Sequence, residues 1–367
     1  MCDLSLQQVA FSKLKGITPD LASKLLDVFG DETEFFRMSE SELRAASEME
    51  SKCFSASYRE ALLFEAEKEL DFIEKKNIRC LYFNRPNYPA RFQNIPDAPL
   101  LLYAKGDIDL NKKRIVGVVG TRRITQYGLK LTQNFIEGLT DIIGMDVIVV
   151  SGLAYGVDVS AHKAALNAKI PTVGVVAHGL DMIYPAQHRN IAAEMIHEGG
   201  AVVTEYGHGT RVHRSSFLAR NRIIAALSDC VVVIESAEKG GALVTAKIAQ
   251  SYGRDVFAFP GRVSDEFSAG CNNLINKNIA ALISSASDVV DMMRWERQTK
   301  PIEKSLFVEY TPEEQKIIGF IKEKDGIQIN LLSALSQIPV HKLMSILFEL
   351  EFKGAIVVMP GNRYCLA

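Results

Sequence analysis

The stretch Ile115-Val-Gly-Val-Val119-Gly120-Thr121-Arg122-Arg123 is an apolar run that ends abruptly in a glycine and two arginines. Two junctions of the same design follow it. Val147-Ile-Val-Val150 leads into Ser151-Gly152-Leu-Ala-Tyr-Gly156, and Val231-Val-Val-Ile234 comes shortly before Lys239-Gly240-Gly241-Ala242. Continuous apolar runs suit strands buried on both faces, and glycine at their carboxyl ends suits a tight turn into a helix. In an open α/β sheet such turns share one edge. Free backbone N–H groups and positive helix ends bind phosphate there.

Outward from these runs, short apolar stretches alternate with helical ones. The pattern predicts strands at 78–83, 100–104, 115–119, 147–150, 172–177, 201–204, 230–234 and 255–259. Helical patterns fill most gaps, including 126–140, 158–168, 188–198, 219–227 and 242–252. This alternation predicts an α/β fold with a doubly wound, mostly parallel sheet over residues 78–297. Such a sheet can cover both its faces with its own helices, so 78–297 is expected to fold alone.

The flanks differ. Residues 1–77 read as helical, with Leu14, Ile17, Leu21, Leu25 and Phe29 at helical spacing. Gly16 suits a helix end, Pro19 a first turn, and Ser39-Glu-Ser-Glu a capped start. Residues 298–306 read as a linker. In 307–367, Thr311-Pro312-Glu313-Glu314 starts one helix, a second covers about 328–336, and Pro339 opens a third through Phe352. Ala355–Met359 and Arg363–Leu366 then read as a hairpin, which completes a winged-helix pattern.

Composition bounds the function. The 367 residues carry a formal net charge of −2, but the balance is −5 over 1–80 and +3 over 81–297. An anionic partner would therefore need a local basic patch. No apolar run reaches the roughly 18 residues of a membrane span, and no secretory leader is recognisable, which fits a cytoplasmic protein. Six cysteines without a C-x-x-C pair argue against zinc and disulfides. The histidines show no ligand spacing, so no metal is expected.

The candidate binding residues cluster at the junctions: Gly120, Thr121 and Arg122; Ser151, Gly152 and Gly156; Lys239, Gly240, Gly241 and Thr245. To these Arg211-Val-His-Arg-Ser-Ser-Phe-Leu-Ala-Arg-Asn-Arg222 adds Arg214, Phe217, Arg220 and Arg222. Arginine forks grip phosphate and an aromatic ring supports a base. Arg220 and Arg222 fit ligand contact or internal pairing with Glu205 or Glu235. The first turn is not G-x-G-x-x-G, which argues against a nicotinamide cofactor; no P-loop and no G-x-S-x-G elbow exists either. No catalytic residue and no cofactor is expected.

These stretches together resemble the DNA-processing protein A family, also called Smf. The matching runs include Ala98-Pro-Leu-Leu-Leu-Tyr103-Ala-Lys-Gly106, Val118-Val-Gly-Thr-Arg-Arg123, Val150-Ser-Gly-Leu-Ala-Tyr-Gly-Val-Asp158, and His178-Gly-Leu-Asp181 with Tyr184-Pro185. Phe217-Leu-Ala-Arg-Asn-Arg-Ile-Ile224, Lys239-Gly-Gly-Ala-Leu-Val-Thr-Ala246, Phe259-Pro-Gly261 and Asn272-Asn-Leu-Ile275 continue the series. The resemblance implies an extended Rossmann-like fold, an N-terminal domain of SAM or helix-hairpin-helix kind, and a C-terminal winged helix. It implies a non-enzymatic protein that binds single-stranded DNA, protects it during natural transformation and loads the RecA recombinase. It also implies a homodimer through the Rossmann-like domain, and DNA contacts from Arg122, Arg214 and Phe217.

This chain departs from the pattern in places. Gly240-Gly241-Ala242 stands where the family often has Ser-Gly-Ser, which leaves backbone N–H groups to bind. Ala269-Gly-Cys-Asn-Asn273 replaces a Ser-x-Gly-x-Asn run. The N-terminal domain is acidic and lacks a Gly-x-Gly hairpin, which favours a structural or protein-contact role. Helix 340–351 has few basic groups, so partner binding stands beside DNA binding for the tail. The rival function is a Rossmann-like nucleotide N-glycosidase with Glu205 or Glu235 as its acid, although the Pro-Gly-Gly-x-Gly-Thr run of such enzymes is missing.

Overall fold

The computed structural model describes residues 4–47, 52–111, 114–298, 310–324, 326–353, 355–359 and 361–366. The chain forms two compact units, Met1–Gln298 and Thr299–Ala367. Of the expected linker 298–306, all but Gln298 lies outside the described residues.

The first unit begins with five helices, α1 (Leu6–Ser12), α2 (Pro19–Phe29), α3 (Glu32–Arg37), α4 (Glu40–Ser47) and α5 (Ala56–Lys76). Each start follows its local chemistry. The Ser5 and Thr18 hydroxyls accept from Gln8 and Leu21 N–H, and Pro19 occupies the first turn of α2. The helices close on Phe11, Phe29, Phe35 and Phe54; Phe11 meets Phe35 edge-on at 5.3 Å. Arg59 is buried and donates to the carbonyls of Phe35, Phe36 and Phe54, which satisfies helix-end acceptors.

The sheet follows, with strands β1 (Arg79–Tyr82), β2 (Leu101–Lys105), β3 (Arg114–Val119), β4 (Val147–Ser151), β5 (Thr172–Val175), β6 (Ala201–Thr204), β7 (Cys230–Val233), β8 (Asp255–Ala258) and β9 (Ala281–Leu282). Their order is β1-β2-β6-β5-β4-β3-β7-β8-β9, parallel from β6 to β9, with β2 antiparallel to both β1 and β6. The interleaved helices are α6 (Gln126–Ile143), α7 (Val157–Asn167), α8 (Arg189–His197), α9 (Arg214–Leu227), α10 (Gly241–Ser251), α11 (Ala269–Asn276) and α12 (Ala286–Met292). Helices α6, α7 and α12 pack on one face through Phe135, Leu139, Ala161 and Val289. Helices α9, α10 and α11 cover the other through Ile223, Leu227, Ala246 and Leu274. The central strands are apolar throughout because both faces are covered.

Eight of the nine strands coincide with the apolar runs. The ninth is a two-residue edge strand with exposed side chains. Helix α9 starts at Arg214, earlier than its apolar pattern at 219–227.

The helical region is not an appendage. Tyr82 is fully buried and its hydroxyl donates to Glu32 (2.9 Å). Ile73 of α5 shares a cluster with Cys80, Leu101 and Tyr103 of β1 and β2, and Leu100 belongs to the helical core.

The second unit contains α13 (Pro312–Glu323), β10 (Ile327–Gln328), α14 (Ile329–Ser336), α15 (Val340–Phe352), β11 (Ile356–Met359) and β12 (Arg363–Leu366). Its antiparallel sheet has the order β10-β12-β11. Ile317, Ile321, Leu332, Leu343, Leu347 and Tyr364 form its core. Three helices and a hairpin form a winged helix. The outer face of α15 carries exposed Met344 and Phe348.

Candidate nucleic-acid interface

Strand order reverses between β3 and β7: β4, β5 and β6 lie to one side, β8 and β9 to the other. Ligand crevices in open α/β sheets form outside the carboxyl ends at such a point. A cavity of about 630 Å³ lies there, lined by residues of all three glycine junctions or the segments that follow them.

The β3 turn is fixed by buried polar groups. Thr121 N–H donates to the Glu235 carbonyl (2.7 Å), extending the β3–β7 pairing, and Val157 N–H donates to the Thr121 carbonyl. The Glu235 carboxylate accepts from the Thr125 N–H (2.9 Å) and hydroxyl (2.5 Å), and the Thr125 hydroxyl caps α6. A Cβ at Gly120 would meet Val157 Cγ2 at 2.4 Å, so glycine permits the close approach of α7. Arg122 leaves this turn exposed to solvent, its guanidinium 5.1 Å from the Phe217 ring centroid.

Helices α9 and α10 start at the cavity. The N-cap of α10, Gly240, has no side chain to satisfy first-turn N–H groups, and neither helix has an acidic residue in its first turn. Arg214 instead occupies the first position of α9, where a cation opposes the helix dipole. Arg122, Arg214 and Lys239 make no ion pair among the described residues. Three cations that make no ion pair, gathered at the starts of two helices, give the cavity mouth a positive character suited to an anion.

The floor is more deeply buried. Arg220 is 3% exposed and donates through Nη1 to the carbonyls of Gly152 (2.6 Å) and Val175, while its Nε has no partner. Burial lowers its pKa, with Asp158 acting in the other direction. Asp158 is the one carboxylate lining the cavity among the described residues. Burial raises its pKa, against Arg220 and the Ala154 N–H.

The expected residues separate into two groups. Gly120, Thr121, Arg122, Arg214, Phe217, Arg220, Lys239, Gly240, Gly241 and Thr245 line the cavity. Ser151, Gly152, Gly156 and Arg222 stand behind it. The Ser151 hydroxyl is buried and donates to the Val118 carbonyl (2.6 Å). Gly152 makes room for Arg220, and Gly156 (φ +77°) abuts the carbonyl of Thr121. Arg222 pairs with Glu205 and donates to the Asp97 carbonyl.

The profile of the family described as DNA recombination-mediator protein A matches residues 79–294, and that of the DprA winged helix domain matches 301–362. Protein Smf of Synechocystis is 31% identical over 326 residues, 79% of this chain and 81% of that protein. The chain belongs to the DNA recombination-mediator protein A (DprA/Smf) family. DNA processing protein DprA of Streptococcus pneumoniae is 41% identical over 203 residues, 55% of this chain and 70% of that one. A crystal structure of the Streptococcus pneumoniae protein aligns with a TM-score of 0.65 at 32% identity, covering 79% of this chain and 98% of that one. A structure of DNA processing protein A from Helicobacter pylori, reported for its single-stranded DNA binding mode, aligns at 0.51 and 31% identity, covering 57% and 94%.

Within this DprA/Smf fold, Asp158, Ala154, Leu218 and Asn221 also line the cavity, which the sequence reading did not assign to it. Asp158 has a sequence signal, an acid in the first turn after the Gly156 junction. The others are apolar or amide groups whose role depends on helix phase.

Among the described residues no cluster of three metal-ligating side chains occurs, and no single helix is long and apolar enough to cross a membrane. His162 is buried, its Nδ1 2.7 Å from the Thr172 hydroxyl, and burial pushes its pKa down to about 3.

Proposed function

We propose that the cavity between β3 and β7 holds consecutive phosphates of single-stranded DNA, with Arg122, Arg214 and Lys239 at its mouth, Gly240-Gly241 offering backbone N–H groups, and Phe217 supporting a base. The observation that carries this reading is the group of cations with no ion-pair partner among the described residues, gathered at the starts of α9 and α10, the latter without a side-chain cap. Buried Arg220 supplies further positive charge below them. Contacts of this kind grip a backbone without reading its sequence. In this reading the protein works without cofactor or metal in the cytoplasm. It protects incoming single strands, loads RecA onto them during natural transformation, and pairs with a second copy through the Rossmann-like domain.

The glycosidase reading loses its acids. Glu205 is engaged by Arg222, Glu235 holds the Thr125 cap, and neither lines the cavity.

Titration of labelled oligo-dT and of a duplex at two salt concentrations tests the reading. Preferential single-strand binding that weakens with salt is expected, together with faster RecA filament growth on protein-bound strands. Absence of oligo-dT binding, or release of free base from a nucleoside monophosphate, overturns it.

A further inference from the structure

We propose that the DNA strand leaves the cavity across a shelf of aromatic rings, Phe217, Tyr184 and Tyr155, and that Tyr184 and Tyr155 stack bases outside the cavity. The proposal rests on the single-strand reading above and gives the strand a direction across the sheet edge, from β7 over β3 toward β4 and β5.

A space of about 630 Å³ takes a ligand of small-molecule size. A polynucleotide must therefore run out of it. The turn after β4 carries Tyr155, next to the cavity-lining Ala154. The loop after β5 carries Tyr184, whose ring centroid lies 5.9 Å from that of the cavity-lining Phe217 at a tilt of 53°. Both tyrosines are large rings left 45% and 44% exposed beside a cationic cavity. Phe217 thus has the Arg122 guanidinium and the Tyr184 ring as neighbours. Alternation of guanidinium and ring suits a chain of alternating phosphate and base.

Both tyrosines lean on buried histidines, Tyr184 through its backbone and Tyr155 through its ring. His178 Nδ1 lies 2.8 Å from the Gly179 carbonyl, and its Nε2 accepts from the Tyr184 backbone N–H (3.2 Å). One ring nitrogen donating and the other accepting is the pattern of a neutral imidazole, and burial lowers the His178 pKa to favour that form. His188 Nδ1 donates to the Leu153 carbonyl (2.7 Å), and its ring lies 5.0 Å from that of Tyr155. The Tyr155 hydroxyl donates to Gln187 (2.9 Å) in the Tyr184 loop, which ties the two parts of the shelf together. A platform fixed before binding loses little freedom when a base lands on it.

The test compares two ligands of equal length, oligo-dT and an abasic oligomer with the same phosphates. Tyr184→Ala and Tyr155→Ala in the full chain are each expected to weaken oligo-dT binding roughly ten-fold, the scale of one lost base–ring contact. Binding of the abasic oligomer stays unchanged, and Tyr184→Phe keeps oligo-dT binding. Arg122→Ala weakens both ligands and reports on the cavity itself. Unchanged oligo-dT binding in both tyrosine variants, with Arg122→Ala impaired, overturns the shelf and leaves the cavity reading intact. Equal losses for both ligands in the tyrosine variants also overturn it, since they mark a damaged loop. If Arg122→Ala binds both ligands like the parent, the cavity reading fails.

Discussion

The guanidinium of Arg122 lies over the ring of Phe217, 5.1 Å from its centroid, although the two residues come from different sheet junctions. The ring gives the cation a fixed direction without neutralising it, worth about 0.5–1 kcal/mol where exposed. Arg214, at the start of the helix that carries Phe217, adds a second unpaired cation. In the proposed reading each displaces one counterion from a single strand. Arg122→Ala and Arg214→Ala should each weaken oligo-dT binding and lower the log–log salt slope by about 0.7. Salt titrations of both folded variants check this, and an unchanged slope in both would remove them from the phosphate path.

Gly241 separates phosphate access from folding. Its backbone is not left-handed, and an added Cβ would meet nothing nearer than Asn221 Nδ2 at 3.8 Å. The fold therefore has room for a side chain that projects into the cavity mouth. Gly241→Val should lose most single-strand affinity while its Tm stays within a few degrees. Thermal melts beside binding curves check this. A variant that unfolds would make the glycine structural.

The glycine junctions were legible because continuous apolar runs led into them, and apolar continuity is what a strand buried on both faces requires. Strand β9 escaped because two exposed residues form no run. Helix α11 escaped because Ala269-Gly-Cys-Asn-Asn273 is small and polar. Within the site, Arg220 and Arg222 were inseparable by sequence. Two residues apart on a helix they point in nearly opposite directions, and only packing decides which one enters the cavity floor. In the folded chain Arg220 does so, while Arg222 turns to Glu205. Tyr155 and Tyr184 belong to separate loops, and only the order of β4 and β5 brings them together.

His162 makes acid stability a readout of the core. Its folded pKa is pushed down to about 3 by burial, against an ordinary value of 6.5. Between those values the unfolded chain binds a proton that the folded chain refuses, so stability is lost as pH falls below 6.5. At pH 5 the loss from this residue is about 2 kcal/mol. His178, also lowered by burial, acts in the same direction. His162→Asn should be less stable than the parent at pH 7 yet lose less Tm between pH 7 and pH 5. Melts at the two pH values check the difference; an equal drop in both proteins would mean that burial does not shift the His162 imidazole from its ordinary value.

The two ends of the chain should respond oppositely to truncation. Residues 1–298 contain the whole of the first compact unit, so removing the second leaves its core intact. The 1–298 fragment should keep the Tm of the sheet unit and most single-strand affinity, since the tail's charges balance and the cavity lies wholly before it. Removing 1–77 is different, and alters the expectation from sequence that 78–297 stands alone. It uncovers Tyr82, Leu101 and Tyr103, takes away the Glu32 partner of the Tyr82 hydroxyl, and opens the cluster around Ile73. Exposing three or four large side chains costs on the order of 5 kcal/mol, a large part of a typical domain's stability. The loss reaches the site as well. Glu69 of α5 accepts from the His208 N–H (2.9 Å), and the Phe72 ring lies 4.4 Å from that of His208, so α5 holds the loop that leads into Arg214 and Phe217. The 78–298 fragment should therefore melt well below 1–298 and bind oligo-dT more weakly even where folded. Glu69→Ala in 1–298 should reproduce part of the binding loss with a much smaller change in Tm. Melts and oligo-dT titrations of the three proteins in one buffer decide it. A 78–298 fragment that matches 1–298 in both would reduce the helical region to a passenger.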